Sequence, residues 1–201
     1  MPPILIASGN PHKLEEIEAV LGPCGIAIEG LDALESVPPE PIEDAATFEG
    51  NARLKAIGYA KATGRTCLAD DSGLEVDALG GAPGVYSARF AGVDGTRAEQ
   101  DAANNALLVD RLKDVPSADR AARFVCAMCV ATPGGEIVVE ARGEFSGVIV
   151  DEPRGSNGFG YDPYLWLPSE GRTSAELSPE EKNARSHRGA AARLIAERLQ
   201  G

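Results

Sequence analysis

The stretch Thr66-Cys67-Leu68-Ala69-Asp70-Asp71-Ser72-Gly73 is where the reading of this chain turns. Thr66, Cys67 and Leu68 read as a short buried strand that runs into two adjacent carboxylates, a hydroxyl and a glycine. Successive side chains on a strand point to opposite faces, so Asp70 and Asp71 cannot both meet one ligand while the strand stays regular. One should face the chemistry and the other brace the turn. Acids at the carboxyl end of a strand, where α/β sheets place their ligands, point to a magnesium and phosphate site. Ala69 to Gly73 fits a solvated acidic turn as well, and the surrounding chain has to decide between the two.

Toward the N-terminus, Ile4-Leu5-Ile6-Ala7 is a short apolar strand followed by Ser8-Gly9-Asn10. Asn10 fits a helix N-cap and Pro11 the first helical position. Leu14, Ile17, Val20 and Leu21 give the helix an apolar stripe, and Gly22-Pro23 closes it. Strand, glycine turn and helix N-terminus together form an anion site, with open N–H groups and the positive end of the dipole. His12 and Lys13 stand in the first turn, where Lys13 can reach a bound phosphate. The Gly-Lys-Ser/Thr of a Walker loop is absent, and an ordinary capped helix explains the pattern equally. Ile26-Ala27-Ile28 reads as a second strand. Residues 35–45 form a Pro- and Glu-rich loop that ends in Glu43 and Asp44. A helix from Thr47 to Thr63 follows, with Leu54, Ile57 and Ala60/Lys61 along one side and Lys55 solvated.

Toward the C-terminus, residues 80–95 hold so many glycines around Pro83 that a shaped loop is expected. A helix from Thr96 to Leu112 offers Ala103, Leu107, Leu108 and Leu112 to a core. Residues 121–132 and 136–150 flank Pro133-Gly134-Gly135 as a long hairpin, which makes the sheet mixed. Gly158-Phe159-Gly160-Tyr161-Asp162-Pro163 is a glycine loop carrying aromatics; Phe159 suits stacking on a flat ligand such as a base, or anchors its loop. Tyr164 to Leu167 is a further strand. Ser178-Pro179-Glu180-Glu181 is a capping box for a helix bearing Lys182. Ser186-His187-Arg188-Gly189 breaks the pattern, and Ser186 caps a last helix that buries Ala191, Leu194, Ile195 and Leu199. The break offers backbone N–H groups beside Arg188 to a carbonyl acceptor; a kinked helix with solvated His and Arg is the plainer alternative.

The 201 residues form one expected domain with a cleft. A net charge of −12 disfavours a nucleic acid backbone but leaves room for a small anion where a few cations converge. No apolar run is long enough for a bilayer, and the chain enters a strand directly without a signal peptide, so a cytoplasmic protein is expected. Cys126-Ala-Met-Cys129 lies in an apolar strand, where residues three apart face opposite sides and cannot chelate. With only two histidines in the chain, buried free thiols are the reading for these cysteines, and disulfides are not expected.

Taken together, these blocks resemble the inosine-triphosphate pyrophosphatase family. The matching segments are Ser8-Gly9-Asn10-x-x-Lys13, Asn51 through Lys55-Ala56, Ala69-Asp70-Asp71-Ser72-Gly73-Leu74, Gly80-Gly81-Ala82-Pro83-Gly84-x-x-Ser87-Ala88-Arg89, Gly158-Phe159-Gly160-Tyr161-Asp162-Pro163, and Lys182 with Ser186-His187-Arg188. They keep the family's order across nearly the whole chain. The family usually shows Glu-Asn where this chain has Gly50-Asn51, so no acid stands at position 50. The resemblance implies an α/β fold with a mixed central sheet flanked by helices, two lobes around a substrate cleft, and a homodimer. It implies hydrolysis of ITP, dITP and XTP to the monophosphate and pyrophosphate with Mg²⁺, which clears deaminated purine nucleotides from the pool. Asp71 and Glu43 would hold the metal, and Asp71 would orient or deprotonate the attacking water. Ser8 to Lys13, Lys55, Ser72, Phe159, Gly160, Tyr161, Asp162, Lys182, His187 and Arg188 would meet the nucleotide, Phe159 stacking on the purine and Arg188 with nearby N–H groups donating to its 6-keto oxygen. Rival readings are a Maf-like pyrophosphatase of other base preference and a nucleotide sensor that does not cleave.

Overall fold

Seven strands and five α-helices run along residues 2–201, which the computed structural model describes. In chain order they are β1 (Ile4–Ile6), α1 (Pro11–Leu21), β2 (Ile28–Glu29), α2 (Phe48–Thr63), β3 (Cys67–Val76), α3 (Arg97–Leu112), β4 (Ala121–Ala131), β5 (Ile137–Ile149), β6 (Leu165–Leu167), β7 (Arg172–Thr173), α4 (Pro179–Arg185) and α5 (His187–Gln200). The strands form one sheet in the order β2-β1-β3-β4-β5-β6-β7. β1 pairs in parallel with both β2 and β3, Leu5 standing opposite Cys67 and Ile6 opposite Leu68. β6 pairs antiparallel with β5 and β7. The sheet is therefore mixed, as the hairpin at Pro133-Gly134-Gly135 predicts.

Helix ends follow the local chemistry. Asn10, Thr47, Thr96 and Ser186 cap α1, α2, α3 and α5, each accepting an N–H of the first turn. Thr96 and Glu99 close a full capping box. Three expectations shift. β2 starts at Ile28 rather than Ile26, and β7 is a two-residue strand not foreseen from the sequence. The strand at the acidic stretch does not stop there: β3 continues through Asp70, Asp71, Ser72 and Gly73 to Val76. Leu74 and Val76 are fully buried and keep the inward alternation going, which is why no turn forms.

The chain groups into two units, each with its own core. The first comprises residues up to Asp71, Cys126–Glu144 and Ser186–Gly201. Its core joins Ile4, Ile6, Leu68, Met128 and Val130 to Ile17 and Leu21 of α1 and to Ala191 and Ile195 of α5. The second comprises Ser72–Val125 and Phe145–Arg185, and packs Leu108 and Leu112 of α3 on Leu74, Phe124, Phe145, Tyr161 and Leu165.

Candidate active site

In the first unit the two acids of β3 find different partners, as strand alternation requires. Asp70 is 1% exposed. Its Oδ2 accepts from Lys13 Nζ at 3.0 Å and from Nε and Nη2 of Arg188, each at 3.3 Å. Cys126 Sγ lies 3.8 Å from the same oxygen as a thiol donor. Asp70 Oδ1 has no hydrogen-bond partner among the described residues. Burial by itself lifts the Asp70 carboxyl, but the charges of Lys13, Arg188 and Lys55 overcome that and hold it far below the usual carboxylate range. Asp70 is thus a permanent anion. Arg188 is as deeply buried, and its Nη1 is ion-paired with Glu16 of α1. The sequence expectation of a guanidinium open to a ligand meets a guanidinium shared between two carboxylates.

Asp71 accepts from Asn51 Nδ2 at 3.0 Å. Burial pushes its carboxyl up, and Glu43 adds to this, outweighing the Asn51 hydrogen bond and the charges of Lys13 and Lys55. Lys55, expected in solvent, is 7% exposed. Its ammonium pairs with Glu43 Oε1 at 2.9 Å and donates to the Asp70 carbonyl at 3.3 Å. The inward face of α2 therefore runs through Phe48, Asn51, Ala52, Lys55, Ala56 and Tyr59. Leu54 is 39% exposed whereas Ala60 is buried, so the side read from the sequence is only in part the inward one. A lysine turns inward because carboxylates and a carbonyl wait for it there. At the start of α1, the Asn10 side chain accepts from the His12 N–H at 3.0 Å, and Ser8 Oγ accepts from the Asn10 N–H at 3.2 Å. Gly9, Pro11 and His12 are exposed. The first unit thus brings together Lys13, Glu43, Lys55, Asp70, Asp71 and Arg188, with His187 buried at the start of α5.

In the second unit, the loop before β6 is organised by Asp162, which is buried. Its Oδ2 accepts from Lys182 Nζ at 2.6 Å and from the Phe159 N–H at 2.8 Å, while Oδ1 accepts from Ser174 Oγ at 2.7 Å. The Lys182 ammonium stands over the Phe159 ring, 5.3 Å from its centroid. Tyr161 is buried and its hydroxyl donates to the Ser87 carbonyl at 2.8 Å. A Cβ on Gly158 would run into the Asp162 carboxylate, and its φ of 74° already favours glycine. Ser72 is half-buried on β3. Arg89 is exposed, its guanidinium 5.2 Å from the Tyr86 ring centroid.

A model of the Ham1 family matches residues 4–198. The chain belongs to the Ham1 family. A relative from Exiguobacterium sibiricum named dITP/XTP pyrophosphatase is 50% identical over 196 residues, 98% of this chain and 96% of its own. One of the same name from Mycolicibacterium paratuberculosis is 50% identical over 204 residues, covering 100% and 97%. Among solved structures, a HAM1 protein from Coxiella burnetii matches at a TM-score of 0.87 and 40% identity over 100% of this chain and 99% of its own. The Staphylococcus aureus Ham1 protein matches at 0.85 and 40% identity, covering 99% and 98%. Within this Ham1 fold, Asn51, Glu16 and Ser174 are side chains to which the sequence assigned no role. Asn51 was legible as part of a motif; Glu16 and Ser174 become partners only once distant segments meet.

The four cysteines are free, and Cys67, Cys126 and Cys129 are buried. Cys126 faces Asp70, whereas Cys129 senses Glu140 and Arg53, so the two thiols of the CxxC spacing have separate surroundings. No helix among the described residues is long and apolar enough to cross a membrane.

Proposed function

We propose that this chain hydrolyses deaminated purine nucleoside triphosphates, dITP and XTP among them, to the monophosphate and pyrophosphate. The observation that carries the reading is the meeting of Asp71, a buried carboxylate with its pKa pushed up, with Lys13 and Lys55. An ordinary aspartate has a pKa of about 3.9 and is a weak base; desolvation makes Asp71 a better one. The water oxygen attacks the α-phosphorus, its proton passes to Asp71, and the bond to the bridging oxygen breaks so that pyrophosphate leaves whole. Lys13 and Lys55 neutralise the triphosphate, and Lys182 adds a third cation.

Mg²⁺ fits the donors present. Asp71 and Glu43 offer only oxygen to a hard cation, and the charge of Glu43 raises the Asp71 carboxyl in a way a dication relieves. No group of three or more His, Cys, Asp or Glu among the described residues is placed to hold a metal alone. Mg²⁺ generally takes one or two carboxylates and completes its shell with water and substrate phosphates. Bound there, the metal lowers the water's pKa and screens the phosphoryl oxygens. On this reading Asp70 is a support: it fixes Lys13 and Arg188 rather than touching the reacting atoms.

Phe159 stacks on the purine, and the backbone N–H groups neighbouring Arg188 donate to the 6-keto oxygen, while Arg188 itself, held between Asp70 and Glu16, positions them. Adenine presents an amino donor there and leaves buried donors unpaired, at about 1–3 kcal/mol each. The same reading takes residues 1–201 as one domain, and the protein as a cytoplasmic homodimer that acts on free nucleotide rather than on a nucleic acid chain. Asp71→Asn should fold normally and lose at least about a hundredfold in pyrophosphate release from ITP. Near-normal turnover would remove Asp71 from the chemistry.

A further inference from the structure

Gly160, the residue after Phe159, is held by side chains through both of its polar backbone groups. Its N–H donates to Asp101 Oδ2 at 3.1 Å, and its carbonyl accepts from Asn105 Nδ2 at 2.9 Å. Asp101 and Asn105 are one turn apart on α3 and share a face. On the other side of the ring, the Phe159 N–H is taken by Asp162 at 2.8 Å. The Phe159 N–H and both polar groups of Gly160 are thus tied to side chains, the Phe159 carbonyl accepts from the Asp162 N–H, and Gly160 sits at a φ of 62°, a conformation glycine adopts freely.

Position 105 is an odd place for an amide. Residues 101, 105, 108 and 112 follow one stripe of α3, and Leu108 and Leu112 of that stripe lie in the second unit's core with Tyr161. Only one orientation of the Asn105 amide can donate to the Gly160 carbonyl, and it leaves Oδ1 buried with no partner among the described residues. A half-buried amide with its oxygen buried and unsatisfied weakens a fold where an apolar side chain would strengthen it. Asp101 is itself oriented by Arg97, Nε to Oδ1 at 3.1 Å.

We propose that Asp101 and Asn105 are positioning residues for base recognition: by clamping Gly160 they fix the plane of the Phe159 ring and so the orientation in which a purine is accepted. This rests on the reading that Phe159 meets the base. α3 then acts on specificity without touching the nucleotide.

The test uses Asn105→Leu, which continues the apolar stripe, with Asn105→Ala as a second variant should leucine not fit. The readouts are KM and kcat for ITP, the ITP-over-ATP preference, and the urea midpoint, each measured with Phe159 intact and in a Phe159→Ala background. With Phe159 intact, the KM for ITP should rise about fivefold, the worth of one net hydrogen bond, with kcat held within about twofold. The ITP preference should fall, and the urea midpoint of Asn105→Leu should not. In the Phe159→Ala background the same substitution should add nothing. If Phe159→Ala raises KM but neither Asn105 variant does, the clamp is refuted and the stacking reading stands. An equal rise in both backgrounds also refutes the clamp, because the residue then acts through something other than the ring. If Phe159→Ala itself leaves KM and preference unchanged, the stacking reading fails and takes the clamp with it.

Discussion

Asp70 and Asp71 are adjacent residues with opposite electrostatics, and the difference lies in what each side chain meets. Three cations outweigh burial at Asp70 and keep it ionised; at Asp71 burial and Glu43 outweigh Asn51 and two lysines. Removing one partner of a buried pair such as Asp70 with Arg188 costs about 3–5 kcal/mol, because the other charge is left stranded. Cys129 gives a second residue-scale consequence. Burial, with Glu140 adding, pushes its thiol up to about 12. In the unfolded chain a thiol titrates near about 8.5. A group whose folded pKa is raised contributes stability that is complete below the unfolded value and is lost as pH rises toward the folded one. The urea midpoint should therefore fall steadily above about pH 9, each unit removing up to about 1.4 kcal/mol per such thiol. Cys129→Ala should flatten that slope, and an unchanged slope would show that the thiol titrates alike in the folded and unfolded states.

At the scale of elements, the approach of α5 to β5 depends on one glycine. A Cβ on Gly143 would strike the His187 carbonyl and come within 2.7 Å of the Ala191 N. Both belong to the helix that carries Arg188. Gly143→Ala should cost about 1–3 kcal/mol by thermal or urea unfolding and should raise the KM for ITP, since it displaces Arg188 from Asp70. Full stability and unchanged KM would mean that the helix start is free to move. The elements also show what was readable in advance. Caps at Asn10 and Ser186, and the helix starts at Thr47 and Thr96, were legible because they depend on local chemistry. The β4–β5 hairpin was legible from its Pro-Gly-Gly turn. The length of β3 was not, because Asp70 and Asp71 read as a turn until Lys13, Arg188 and Asn51 arrive from distant segments. The inward face of α2 was misread in part for the same reason: Lys55 looks solvated unless Glu43 and the Asp70 carbonyl are known to be beside it.

At the scale of the whole molecule, a chain of net charge −12 is read as handling a polyanion, and the contradiction is resolved locally. Lys55 and Arg188 are buried and Lys13 half-buried in the first unit against carboxylates, and Lys182 is buried in the second against Asp162. Composition spreads charge over 201 residues, whereas recognition depends on these few, so net charge disfavours a nucleic acid backbone without speaking to a phosphate site. Order along the chain was the stronger signal. Six short blocks in sequence identified the family, and the matches to relatives cover the chain nearly end to end.

The central claim is tested by measuring pyrophosphate release from ITP, XTP, GTP and ATP, with Mg²⁺ and with EDTA. The account predicts strong release from ITP and XTP, little from ATP, and none in EDTA. Equal turnover of ATP and ITP would contradict the base reading, and tight nucleotide binding without release from any of the four would make the protein a sensor rather than a pyrophosphatase.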